Sequence, residues 1–150
     1  MRSILHSLRI RARKDTEDSR AGQVPKVFYL IAEPGYPNYG DELIAGEWLS
    51  LLGKYYPEIP VVVDCARPGP AAVILKDKHP HAIFTDTLRR LGTENPFPYD
   101  GPIDDIAGFV GEALNDEGIA PNYASGIRLL QHGVRNIHML GGGYMRGDWT

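Results

Sequence analysis

From Lys26 onward the chain switches repeatedly between short unbroken apolar runs and longer stretches with apolar residues every three or four positions. KVFYLIA at 26–32 is β-branched and aromatic without alternation, the pattern of a strand buried on both faces of a parallel sheet. The loop EPGYPNYG follows, and Asp41 to Tyr56 then places Ile44, Trp48, Leu51, Leu52 and Tyr55 at helical spacing, with Asp41 read as the N-cap and Pro57 as the stop. PVVVDC at 60–65 predicts a second strand, Ala71 to Leu75 a helix or turn, and HAIFT at 81–85 a third strand. Asp86 to Leu91 reads as a short helix and Gly92 to Pro102 as a surface loop. Pro102 suits the first turn of another helix, with Asp104 and Asp105 near its positive end and Ile103, Ile106, Ala107, Val110 and Leu114 as its buried stripe. A helix over 123–132 is announced by Asn122 as N-cap and closed by Gly133 in the left-handed conformation. Arg135 to Leu140 is the last strand and runs into Gly141, Gly142 and Gly143. Strands alternating with helices predict an α/β fold, an open and mostly parallel sheet with helices on both faces.

Composition narrows what this fold does. The 150 residues are 43% apolar and 23% charged, the profile of a globular domain, and the apolar runs fall far short of the ~20 residues that cross a bilayer. Cys65 is the only cysteine, which excludes an internal disulfide and a thiolate zinc cluster and points to a reducing, cytoplasmic setting. The net charge of −3 argues against general nucleic-acid affinity. The charge is unevenly placed: the first 26 residues carry seven Lys/Arg against three Asp/Glu, the rest nine against sixteen. MRSILHSLRIRARK mixes Ile4, Leu5 and Leu8 with Arg2, Arg9, Arg11, Arg13 and Lys14, and lacks the continuous apolar core of a secretory signal. A brief amphipathic helix of this kind could touch an anionic membrane surface, while the plainer reading is a frayed basic tail over 1–25. The remainder, 26–150, is expected to be one domain.

In open parallel sheets ligands bind beyond the carboxyl ends of the strands, where loops meet the N-termini of the following helices. Two loops carry candidates. In the first, Gly35 and Gly40 free the backbone while Asn38 and Asp41 offer polar side chains; in the second, Gly141 to Gly143 would let the backbone approach a ligand, with Arg146 and Asp148 beyond. Both loops follow strands expected to be interior and parallel, so both are expected at one edge of the sheet. His79 and His81 could pinch a metal from one strand face, but no third ligand has suitable spacing, and solvated histidines are the simpler reading. Cys65 reads as a half-buried thiol rather than a nucleophile, and Trp48 as core. Neither metal nor cofactor is called for.

Taken together, GYPNYGDELIAGEWLSLL at 35–52 and HMLGGGYMRGD at 138–148 resemble the polysaccharide pyruvyl transferase family. In that family an Asn-x-Gly-Asp-Glu segment after the first strand opens the first long helix, and a later strand ends in a triple glycine. Tyr144 stands where a small hydroxyl residue often follows the glycines. The resemblance covers roughly 26–150. It implies one Rossmann-like half of a two-domain protein of the GT-B type, incomplete at its C-terminal end. It also implies transfer of a pyruvyl ketal from phosphoenolpyruvate to a sugar acceptor in cell-surface polysaccharide synthesis. On that reading Asp41 is catalytic, and Gly35, Asn38, Gly40, Gly141, Gly142, Gly143 and Arg146 bind substrate. The second half would supply most of the cations for phosphoenolpyruvate, so this chain alone is expected to be inactive. Two other readings stand beside it: a non-catalytic interaction domain or truncated product, with self-association, and one half of a nucleotide-sugar glycosyltransferase.

Overall fold

The computed structural model describes residues 26–36, 38–97 and 101–141. Its centre is a sheet of four parallel strands, β1 (Val27–Ile31), β2 (Val61–Asp64), β3 (Ala82–Thr85) and β4 (Val134–Met139), in the order β3-β2-β1-β4. The register runs from Phe28 opposite Val61 to Ile31 opposite Asp64 on one side of β1, and ends with Ile31 opposite Met139 on the other. The two unbroken apolar runs take the middle: β2 is buried throughout and β1 nearly so. The edge strands β3 and β4 leave Ile83, Ile137 and Met139 about half exposed.

Among the described residues there are five α-helices: α1 (Tyr39–Tyr55), α2 (Pro68–Leu75), α3 (Thr87–Thr93), α4 (Ile103–Asn115) and α5 (Ala124–Arg128). One face carries α1 and α2, whose Ala45, Leu49, Leu52 and Leu75 pack with Phe28, Leu30, Val61 and Val63. On the other face Val27, Tyr29 and Val62 meet Leu88, Leu129 and Leu130, and a separate cluster of Leu91, Ala113, Ala120 and Ile127 joins α3, α4 and α5. The chain steps from β1 outward to β3 and then returns past β1 to β4. With right-handed crossovers, that reversal places the helices on opposite faces. An α/β fold with an open Rossmann-like sheet is therefore what the chain forms.

Several local expectations are corrected. Helix α1 buries Ala45, Gly46, Leu49 and Leu52, whereas Ile44, Leu51 and Tyr55 stay largely in water. The helix is apolar on nearly every side, and the sheet takes the side with small residues because these allow close approach: a Cβ on Gly46 would sit 3.4 Å from the Leu75 side chain. Its N-cap is Asn38, three positions ahead of the predicted cap Asp41. On α4, Ile103 and Ala107 are exposed and Ala113 is the fully buried residue, since the helix packs on α3 and its cluster through Val110, Ala113 and Leu114 rather than on the sheet. Before β4, a 3-10 turn at Pro121–Tyr123 precedes α5, and a π-helical segment at Leu129–Gly133 follows it. Asn122 is thus no cap, because Pro121 with its fixed φ opens the turn. Gly133 is not left-handed: the wider π turn delivers the chain straight into extended Val134, and among described residues Gly35 and Gly141 alone have positive φ.

Of the two histidines read as solvated, His81 is exposed and His79 is not. His79 is buried, its Nδ1 accepts from the His81 amide at 3.0 Å, and burial holds its pKa below the ordinary value. The described residues contain no group of three metal-ligating side chains. Cys65 is fully buried, which pushes its thiol up to about 11. No helix among the described residues is long and apolar enough to cross a membrane.

On the second face α5 comes close to the start of α3 at Gly126. A Cβ on Gly126 would lie 2.4 Å from Thr87 Oγ1 and 2.6 Å from its Cγ2. Gly126→Ala is expected to cost about 1–3 kcal/mol through overpacking. Thr87→Ala in the same chain should recover part of the loss, with urea midpoints of the two single variants and the double variant as the check.

Candidate functional site

The sheet reverses its direction of strand addition between β1 and β4, and the loops after these two strands leave at the same edge. The Leu140 amide donates to Ile31 O at 2.8 Å, which brings Gly141 alongside the segment that leaves β1. Gly141 turns there with φ +82°. The loop after β1 turns at Gly35, where φ is +91° and a Cβ would sit 2.8 Å from Arg67 O and 2.9 Å from Ala71 N. Only glycine fits that contact between the loop and the start of α2.

Beyond Gly35 the loop delivers Asn38 to the end of α1. Asn38 Oδ1 accepts from the Gly40 amide at 3.1 Å, and its Nδ2 donates to Asp41 Oδ2 at 2.6 Å. Asn38 therefore caps the helix and tethers Asp41 at once, with Asn38 exposed and Asp41 half-buried. Gly40 lies between them, where a Cβ would be 3.4 Å from Asn38 Oδ1. Gly35, Asn38, Gly40, Asp41 and Gly141 thus gather at one end of the sheet. Gly142, Gly143, Arg146 and Asp148 lie outside the described residues.

The rim holds further groups that sequence reasoning passed over. Arg67, just before α2, holds its guanidinium 3.9 Å from the centre of the Tyr36 ring. Arg89, in the first turn of α3, lies 3.7 Å from Glu33. Beneath them Asp64, the last residue of β2, is almost inaccessible to water. Its carboxylate accepts from the Tyr29 hydroxyl at 2.5 Å, the Leu88 amide at 2.7 Å and the Arg89 amide at 3.4 Å. Asp64 thus caps α3 from a neighbouring strand. Asp86, the nominal N-cap, makes no capping bond and instead accepts from Arg90 at 2.7 Å. The signal for Asp64 was present in the sequence as one charge ending an otherwise apolar strand.

Chemically, this edge suits hydroxyl groups better than phosphate. Asp41 and Glu42 occupy the first turn of α1 and offset the positive end of its dipole, so a dianion gains little there. The amide of Asn38 and the carboxylate of Asp41 can donate to and accept from a diol. The fold and edge together define a doubly wound α/β domain with polar side chains at its topological switch point. Comparison with protein-family models, with curated proteins and with solved structures finds no significant match to this chain.

Burial outweighs the three donors at Asp64 and raises its carboxyl above the ordinary value; burial, then the adjacent Asp64 charge, raises the Tyr29 hydroxyl as well. A folded-state pKa above the unfolded ~3.9 gives a stabilising contribution that is complete below that value. It is lost as pH rises through the raised pKa. The stability of the native chain relative to Asp64→Asn should therefore be greatest near pH 4 and fall as pH rises. Urea midpoints of both chains across that range check the sign.

Proposed function

We propose that this chain forms the acceptor side of a pyruvyl transferase that moves a pyruvyl ketal from phosphoenolpyruvate to a sugar diol in cell-surface polysaccharide synthesis. The observation that carries the reading is the Asn38–Asp41 pair, hydrogen-bonded at 2.6 Å where the loop after β1 enters α1, at the same sheet edge as Gly141. It joins the sequence resemblance at 35–52 and 138–148 to a place where ligands of doubly wound folds bind.

In this mechanism Asn38 and Asp41 orient two sugar hydroxyls, and Asp41 accepts a proton as one of them attacks. The Gly141 turn lets backbone approach the sugar. The same step needs cations for the phosphate and carboxylate of the donor and an acid for its methylene carbon. Arg67 and Arg89 sit on this rim engaged by Tyr36 and Glu33, and the remaining groups would come from a second half facing the crevice. A cytoplasmic location fits the single, buried Cys65. The exposed apolar side of α1 favours a second reading, that of an interaction domain.

The chain by itself is expected to release no phosphate from phosphoenolpyruvate when a sugar acceptor is added, because one wall leaves the reacting groups unoriented. It should nevertheless bind the acceptor. Titration with a methyl pyranoside bearing a free 4,6-diol should shift the amide resonances of Gly40, Asp41 and Gly141. Asp41→Ala should abolish those shifts at a stability cost of under about 1 kcal/mol, since Asn38 and not Asp41 is the cap. An unresponsive spectrum, or one in which Asp41→Ala responds like the native chain, removes the reading.

A further inference from the structure

His79 is buried, ionisable and far from the switch-point edge. It leaves the 3-10 turn Lys76–Lys78 in extended conformation and leads into β3, with 1% of its surface exposed. Its ring packs against the last turns of α1, where a Cβ on Gly53 would meet Lys78 O at 3.1 Å and His79 Cδ2 at 3.4 Å. That contact lies roughly 20 Å along the helix from Asn38 and Asp41, so it is separate from the site proposed above.

The bonds around the ring fix its proton. Nδ1 accepts from the His81 amide at 3.0 Å, so the neutral ring carries its hydrogen on Nε2. Nε2 is itself buried and finds no hydrogen-bond partner among the described residues. The segment is tied twice more. The His79 carbonyl accepts from Ala82 at 3.3 Å, and the His81 carbonyl from Val61, the first residue of β2, at 3.1 Å. The lone pair on Nδ1 thus helps to close the turn through which β3 joins β2.

We propose that His79 is a proton-operated latch: the neutral ring holds the entry to β3 closed against the end of α1, and uptake of a second ring proton opens it. That proton can go only to Nδ1, where its N–H would confront the His81 N–H, donor against donor. No nearby charge compensates the cation. Lys54 and Tyr56 at the end of α1, Glu58 before β2, and Lys76, Asp77 and Lys78 on the 3-10 turn are all exposed, so water screens them. Burial is the largest influence and favours the neutral ring; the Tyr56 carbonyl works the other way, and the His81 ring, 6.4 Å off and edge-on, adds to burial. A proton from solvent is therefore accommodated by release: Nδ1 gives up the His81 amide, and the ring leaves the Gly53 surface for water, where it titrates near ~6.5. The open turn binds the proton more readily than the closed one, so closure is complete above ~6.5 and weakens as pH falls below it.

The test is amide hydrogen exchange on the full chain between pH 7 and pH 5, each rate normalised to that of an unstructured amide. The His81 and Ala82 amides should lose roughly tenfold in protection over that range, while the amides of β1 keep theirs. His79→Asn places an acceptor for the His81 amide where Nδ1 was and does not titrate, so its protection should be flat with pH. His81→Gln should keep the response in smaller degree, because one opposing charge is gone. Constant protection at His81, a loss shared equally by β1, a fall that His79→Asn retains, or one that His81→Gln abolishes each overturns the latch. If His79→Asn fails to fold, nitrogen-15 shifts of the native ring take its place. An Nε2–H tautomer at pH 7 that gains its second proton below ~6.5 supports the latch, and the Nδ1–H tautomer or an unshifted titration overturns it.

Discussion

One buried carboxylate holds the architecture in register. Asp64 ends β2, receives the hydroxyl of Tyr29 from β1 and takes two amides from the first turn of α3. Burying a charge is costly unless its hydrogen bonds are made, and here three donors from two other elements converge on it. The consequence is geometric. The start of α3 is pinned over the end of β2, so the long return from β3 to β4 begins on the face away from α1 and α2, and β4 joins the sheet beside β1.

That return creates the switch point, where the chains leaving β1 and β4 turn toward opposite faces, and the residues placed there follow from local chemistry. Gly35 is required by the close approach of Arg67 and Ala71, Asn38 by the need to cap a long helix, and Gly141 by a left-handed turn after β4. Asp41 differs from these. It caps nothing; it sits half-buried in the first turn of α1, where its charge meets the positive end of the dipole, and it accepts from the cap residue at 2.6 Å.

Helix α1 links the two ends of the molecule. Its N-terminus lies at the switch-point edge, its Ala45–Gly46–Leu49–Leu52 side closes the core with Trp48 packed beside them and 5.1 Å from the His138 ring of β4, and Ile44, Leu51 and Tyr55 face outward. A single element thus carries a helix start at the switch-point edge, a core face and an exposed apolar face.

The sequence by itself determined the number and order of strands, because runs such as VFYLI and VVVD are too apolar to alternate and too short for a buried helix. It also determined the two loops that meet at the switch point, since glycine and asparagine mark backbone that must turn. It did not determine which side of α1 is buried. Periodicity favoured Ile44, Trp48, Leu51, Leu52 and Tyr55; Leu52 is buried and Trp48 packs against the core, but the sheet takes Ala45 and Gly46 in place of Ile44, Leu51 and Tyr55, because closeness of approach depends on the partner surface as well as on hydrophobicity. Nor did it show that Asn38 rather than Asp41 caps α1, that Pro121 rather than Asn122 opens the turn before α5, or that Asp64 caps a helix 24 residues further along the chain. A capping bond is a matter of where a carboxylate lies in space, and only the packing of β2 against α3 brings that one within reach.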